Sequence, residues 1–295
     1  MPKTRIIPYL ETFFAVLVWG ASFIATKVAL RYISPVTVVW MRFAMGVIIL
    51  GVAVAIRKQF ALPKRDEWGY LALLGFLGIT FHQWLQSTGL VTSQASITAW
   101  IVATTPVFMA LLGWLLLKEK LGWLQIGGIL LAAAGVILVV SKGDLSGLAI
   151  GQFGEPGDVL ILISSLNWAV FSALSRHGLK THPAARMMFY VMIFGWLFTG
   201  ILFFTGPRLG EIQRLTPNGW TSVAFLGIFC SGLAYIAWYD ALSTLPTAQT
   251  GAFLYIEPLV ATVVAAVILA EAVTPATLIG GGIILLGVWL VNRKG

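Results

Sequence analysis

Ten apolar runs, each roughly 18 to 25 residues long and set apart by short polar segments, follow one another along the chain. They occupy approximately 11–32, 36–57, 68–90, 95–117, 122–140, 157–178, 184–205, 219–242, 246–270 and 275–292. None alternates like a barrel strand, and each is long enough to cross a hydrocarbon core of about 30 Å as a helix. In lipid an unpaired backbone N–H or C=O costs several kcal/mol, so a spanning segment must be a helix or part of a closed barrel. The pattern therefore predicts an all-α integral membrane protein with ten transmembrane helices. Turn signals fall in the gaps, at Ser34-Pro35, Pro63 to Asp66, Gly154 to Gly157, His182-Pro183, Gly206-Pro207 and Thr216 to Gly219. Each disfavours continuation of the helix before it.

The pattern also repeats. Residues 68–143 lie on 220–295 at a constant spacing of 152, with 17 identities over 76 positions. Trp68, Gly75, Pro106, Glu119, Gly128 and Gly135 fall on Trp220, Gly227, Pro258, Glu271, Gly280 and Gly287. This divides the chain into a first five-helix repeat over 1–143, an external linker over 144–156 and a second five-helix repeat over 157–295. Five is odd, so the second copy starts on the opposite side of the bilayer and the repeats are inverted. Internal inverted duplication in an apolar chain points to a transporter.

Composition agrees with lipid as the solvent: 59% of residues are hydrophobic, 10% are charged and the mean hydropathy is +0.92. Basic residues set the orientation, because short loops rich in Lys and Arg stay in the cytoplasm. With the N-terminus inside, Lys3, Arg5, Arg57, Lys58, Lys64, Arg65, Lys118, Lys120, Arg176, Lys180, Arg186, Arg293 and Lys294 are cytoplasmic. Only Arg31, Lys142, Arg208 and Arg214 lie outside, so both termini are expected to be cytoplasmic. The net charge of +8 is this inside bias, and no basic face suited to nucleic acid is present. Cys230, the one cysteine, excludes an intramolecular disulfide and any Cys-based metal site. The first apolar stretch, Phe13 to Leu30, exceeds a signal-peptide core and is expected to stay in the mature protein. No phosphate-cradling Gly-rich loop with Lys-Ser/Thr is visible, so no nucleotide or other cofactor is expected. No feature of the chain fixes an oligomeric state.

Polar side chains at mid-membrane depth are costly and usually face a cavity. His82 and Gln86 share a face of the third run, with Gln83 adjacent, and Trp100 and Thr104 share one on the fourth. Asn167 and Trp168 lie midway along the sixth, Tyr235 and Tyr239 are four apart on the eighth, and Gln249, Phe253 and Glu257 form one stripe on the ninth. Trp19, Trp100, Trp168, Tyr239 and Phe253 lie deeper than an interfacial belt would place them. Glu257 is read as a site for a substrate ammonium or a coupling proton, against a purely structural role between the halves. Lys27 is a gate charge or a carboxylate anchor, with snorkelling as its bland alternative. Arg42 is read as structural, and Asp240, Glu119 and Glu271 as helix-end carboxylates satisfied by water or backbone donors. Pro106 and Pro258 are expected to kink their helices.

The chain resembles the drug/metabolite transporter superfamily, specifically its EamA-type exporters. The resemblance is carried by Val18 to Phe23, by Thr105-Pro106 running to Leu121, and by the second-half counterpart Glu257-Pro258 running to Val273. It implies a basket in which the first four helices of each half line a central cavity and the fifth and tenth buttress the outside. It adds Ser22, beside Trp19, to the substrate-contacting set. Within the superfamily the chain is similar to YddG-type aromatic amino-acid exporters. The polar set is small and aromatic-rich, without the Lys/Arg cluster a phosphorylated substrate requires. An amino-acid head group held by Asn167, Gln86 or Thr104, its side chain stacked on Trp and Tyr, fits better. Export of other metabolites or drugs is the alternative. An intramembrane enzyme is disfavoured by the lack of a His-Glu-x-x-His or Gly-x-Ser-x-Gly motif, and a channel by the dissimilar polar sets of the two halves.

Overall fold

The computed structural model describes residues 6–118, 120–146, 153–245 and 247–292. Lys3, Arg5, Glu119, Arg293, Lys294 and part of the expected linker at 144–156 lie outside them. The described residues form helices α1 (Ile7–Ala29), α2 (Pro35–Ile56), α3 (68–92), α4 (95–117), α5 (Trp123–Val140), α6 (Pro156–Leu179), α7 (Ala184–Phe204), α8 (Pro217–Thr244), α9 (247–269) and α10 (Pro275–Asn292). One short turn of helix, Leu209–Ile212, joins α7 to α8. No strand occurs among the described residues. Nine of these helices are long and apolar enough to cross a membrane. The other, α3, is helical along its whole length but carries the polar residues His82, Gln83 and Gln86.

Prolines mark where helices begin. Pro35, Pro156 and Pro217 sit in the first turn of α2, α6 and α8, where the missing N–H removes a donor that has no intrahelical partner anyway. Pro106 and Pro258 do the same inside longer rods. α4 breaks at Ala103-Thr104 and restarts at Thr105, and α9 passes through a 3-10 turn at Leu254–Ile256 and restarts at Glu257. The restarted halves end at Lys118 (φ 56°) and Ala270 (φ 53°), both left-handed and 152 positions apart. The duplication visible in residue types thus extends to backbone irregularities.

It extends further to two π-helical stretches, Phe76–Phe81 in α3 and Phe225–Leu233 in α8. Moved by 152, the first falls within the second. Local propensity gave no warning of them.

The heaviest helix contacts cross between the halves: α5 on α10, α2 on α7 and α8, α3 on α6 and α7, α1 on α8 and α9, and α4 on α6 and α9. The most extensive is α5 on α10. A Cβ on Gly128 would stand 2.6 Å from the Gly287 carbonyl oxygen, and one on Gly287 would stand 2.7 Å from that of Gly128. Gly135 and Gly280 make the same reciprocal approach at 2.7 and 2.9 Å. Position rises along one helix as it falls along the other, so these equivalent helices are antiparallel and the two repeats are inverted. Small residues are what permit such contact where lipid supplies no hydrophobic drive.

Gly128→Val and Gly287→Val must push backbones apart. Each is expected to destabilise the detergent-solubilised protein by about 1–3 kcal/mol, read as a lowered thermal midpoint. Gly127 and Gly282, where a Cβ would meet nothing within 4 Å, are the controls: equal losses on substituting them would refute the seam.

Candidate functional site

A π-helical turn widens the i to i+4 ladder and leaves carbonyls without a regular partner, which in hydrocarbon is expensive. Here each stretch is answered from the opposite half. Asn167 Nδ2 on α6 donates to the Leu77 carbonyl of α3 at 2.8 Å. Trp19 Nε1 on α1 donates to the Cys230 carbonyl of α8 at 3.1 Å. Leu77 and Cys230 are equivalent to within one residue under the repeat. Both donors therefore have a structural task, and Asn167 retains its Oδ1 as an acceptor.

From these two points a continuous set of side chains runs through the bundle. Trp19 meets Tyr235 edge-on at 5.7 Å and Trp238 at 5.2 Å, and Tyr235 meets Tyr239 at 6.3 Å. The Arg42 guanidinium on α2 donates from Nε to Ser231 Oγ (2.9 Å) and from an Nη to Gln83 Oε1 (3.1 Å). Beside Gln83, His82 contacts Ser164 O through Nδ1 at 3.2 Å and Trp168 at 4.7 Å between rings. The Ser164 carbonyl can only accept, so Nδ1 carries the proton and Nε2 is left as the acceptor for Gln86, at 3.5 Å. Trp168 continues to Phe171 at 4.8 Å. Glu257 opens the second part of α9, where a Cβ on Gly20 would stand 2.8 Å from its backbone oxygen. The residue is partly exposed, and no hydrogen bond or ion pair to its carboxylate occurs among the described residues.

The two ends of the bundle are tied separately. At the end carrying residue 7, Arg57 grips Asp240 through two 2.6 Å bonds, joining α2 to α8, and Tyr9 donates to Gln249 at 3.1 Å, joining α1 to α9. The Asp240 hydrogen bonds raise the Arg57 pKa above its ordinary value. At the far end the Lys27 ammonium donates to the Ser93 carbonyl while Ser93 Oγ donates to Asp158. Glu271 there accepts from Ala95 N (2.8 Å), Ser96 N (3.1 Å) and Ser96 Oγ (2.7 Å), capping the start of α4. Glu211 likewise accepts from Ser34 N (2.8 Å) and Thr37 Oγ1 (2.6 Å) at the start of α2.

Of the residues picked out from sequence, Trp19, His82, Gln86, Asn167, Trp168, Tyr235 and Tyr239 fall on this central path. Ser22 is beside it and returns its hydroxyl to Trp19 O at 2.6 Å. Trp100 is elsewhere: 1% exposed, it packs toward α10, where a Cβ on Gly281 would come within 2.6 Å of its ring. Thr104 is buried and bonded to Ile101 O of its own helix at 2.6 Å. Phe253 lies at the residue-7 end against Tyr9, 6.3 Å between rings, and Lys27 lies at the far end. Arg42, Gln83 and Ser231 are central although the sequence reading gave the first a structural role, named the second only as a neighbour of His82 and Gln86, and did not select the third. A charge inside an apolar run was the available signal for Arg42; Ser231 carried none.

The two halves match the EamA-like transporter family over residues 6–141 and 155–293. An uncharacterized transporter of Archaeoglobus fulgidus is 30% identical over 94% of each chain. A probable terminal-alkyne amino-acid exporter of Streptantibioticus cattleyicolor is 26% identical, covering 95% of this chain and 91% of that one. A crystal structure with 18% identity superposes over 98% of both chains with a TM-score of 0.69, so the fold is shared.

Two outcomes follow from the geometry. Asn167→Leu strands the Leu77 carbonyl and is expected to cost about 1–3 kcal/mol in a detergent melt; an unchanged midpoint would mean that Asn167 does not hold α3. For Glu211, burial pushes the carboxyl up, but the bonds from Thr37 and Ser34, with Arg208 nearby, outweigh it and hold the pKa below the ordinary 4.5. Its stabilising contribution is complete above that value and fades as pH falls through the lower folded one. Glu211→Gln should therefore lower the thermal midpoint at pH 7 and converge with the parent in acid; a difference that persists at the lowest pH would contradict the assignment.

Proposed function

Since this chain belongs to the EamA-like transporter family, we propose that it exports amino acids, with aromatic ones preferred, by alternating access across the cell (inner) membrane. The protein is a multi-pass membrane transporter, and in this reading it has ten spans, cytoplasmic termini and no catalytic role or cofactor. The observation that carries the substrate is the central path itself. Aromatic faces at Trp19, Tyr235 and Tyr239 and at Trp168 flank hydrogen-bonding groups at His82, Gln86 and Asn167. Such a surface suits a flat apolar side chain beside a polar head group. The amino-acid exporter among the relatives supports the same class. Glu257, with no cationic partner among the described residues, is suited to a substrate ammonium or to a coupling proton.

Alternating access requires contacts at each end that can be broken in turn. Arg57 and Asp240 are each 32% exposed, a setting in which an ion pair is worth about 1 kcal/mol or less. Its rupture is therefore a small barrier for opening the residue-7 end. The Lys27, Ser93 and Asp158 contacts and the Glu271 cap would yield when the far end opens. Movement follows the gradient of the solute or of a coupled proton, because no phosphate-binding loop is present.

Proteoliposomes loaded with labelled phenylalanine or leucine decide the substrate class. Trp168→Ala and Tyr239→Ala should each lower phenylalanine flux about 5- to 10-fold relative to leucine, in line with roughly 1 kcal/mol per aromatic contact. Equal losses for both amino acids would remove the stacking role, and absence of saturable flux for either would remove the amino-acid reading. Glu257→Gln should abolish the response of flux to an imposed pH difference if Glu257 carries the proton; an unchanged response would exclude it from coupling.

A further inference from the structure

Arg42 is the anomaly the transport path leaves unexplained. It is 5% exposed, in the first half of α2, where its bonds reach α3 and α8. Its partners are Ser231 Oγ and Gln83 Oε1, with the Phe43 ring 5.2 Å from the guanidinium carbon. All three are neutral. The ionisable groups near it, Cys230, Tyr235 and His82, carry no acidic carboxyl. The contrast with the other cations is direct: Arg57 holds the Asp240 carboxylate in a two-bond grip, and Lys27 sits within the field of Glu271 and Asp158.

Neutral acceptors orient a buried cation but do not neutralise it, and an uncompensated charge in the interior is costly. Arginine cannot relieve this by losing a proton. Its guanidinium offers five N–H donors, of which the two bonds above use two. The remainder match the two oxygens of a carboxylate, the planar pairing for which arginine is suited and lysine is not. Ser231 and Gln83 hold the fork from two helices, so its orientation is set before a ligand arrives.

We propose that Arg42 is the anchor for the carboxylate of the transported solute, with Gln83 and Ser231 as its positioning residues. The inference rests on the amino-acid reading above for the identity of the solute, and it assigns that solute a required negative end. On this assignment Lys27 is a far-end contact and not the carboxylate anchor. The bound state places the acid group at the junction of α2, α3 and α8, with the side chain free to lie along Tyr235 and Trp168.

The test compares four ligands on the purified full chain: L-phenylalanine, L-phenylalaninamide, phenethylamine and phenylacetate. Binding is read by thermal stabilisation and transport by counterflow in proteoliposomes. Phenylalanine and phenylacetate should bind the parent protein at least about 10-fold more tightly than the amide and the amine, the scale of a charge-assisted bidentate contact. Arg42→Gln should erase that preference, and Arg42→Lys should restore part of it. Arginine-dependent binding of phenylacetate without phenylalanine transport would overturn the amino-acid reading and uphold the anchor. Equal binding of acid and amide by the parent protein would overturn the anchor with no variant needed, even while phenylalanine transport upheld the amino-acid reading. A uniform loss for all four ligands in Arg42→Gln would overturn it too, and binding of neither carboxylate would sink both readings.

Discussion

A carbonyl that leaves the helical ladder inside hydrocarbon has no water to turn to, and the way this chain meets that constraint organises the rest of the molecule. The π-helical stretches in α3 and α8 expose such groups near the middle of the bundle, and the donors that meet them, Asn167 and Trp19, come from the opposite repeat. The polar and aromatic residues of the central path are thus held in place by backbone requirements, independently of any ligand. On the proposed reading of this path as the substrate surface, groups that already have structural work make it stiff, which favours a fixed site about which helices move.

Charge is distributed by a second rule. At both ends of the bundle, carboxylates and cations find partners: Arg57 with Asp240, Lys27 beside Ser93 and Asp158, Glu271 and Glu211 on the starts of α4 and α2. In the interior the pattern lapses, and Arg42 and Glu257 are each left without an opposite charge among the described residues. They reside on α2 and α9, in different repeats, so the interior asymmetry belongs to the pair of halves and not to either one.

The helices, the duplication and the inversion were legible from apolar run lengths, the 152-residue spacing and the odd number of runs per half. Pro106 and Pro258 announced the interruptions of α4 and α9, because a missing N–H is a local property. The π-helical stretches were not legible: Phe76–Phe81 and Phe225–Leu233 read as ordinary apolar helix, and what stabilises them lies on another helix far along the chain. Side-chain direction was equally hidden on helices that are apolar all round. Trp100 and Trp168 are both deep tryptophans, yet one fills the space left by Gly281 and the other stacks on His82. Arg42 showed itself as a charge in an apolar run, but its lack of a carboxylate partner among the described residues is a tertiary fact.

The glycine contact between α5 and α10 has a historical corollary. Gly128 meets Gly287 as Gly135 meets Gly280, the self-complementary arrangement by which two identical subunits bind through the same patch. A lone five-helix polypeptide inserted in both orientations would have carried this surface already, ready to mate with its own oppositely inserted sister. Joining two such chains would need no new interface, only a connecting segment, and would leave each half free to diverge once its partner was guaranteed.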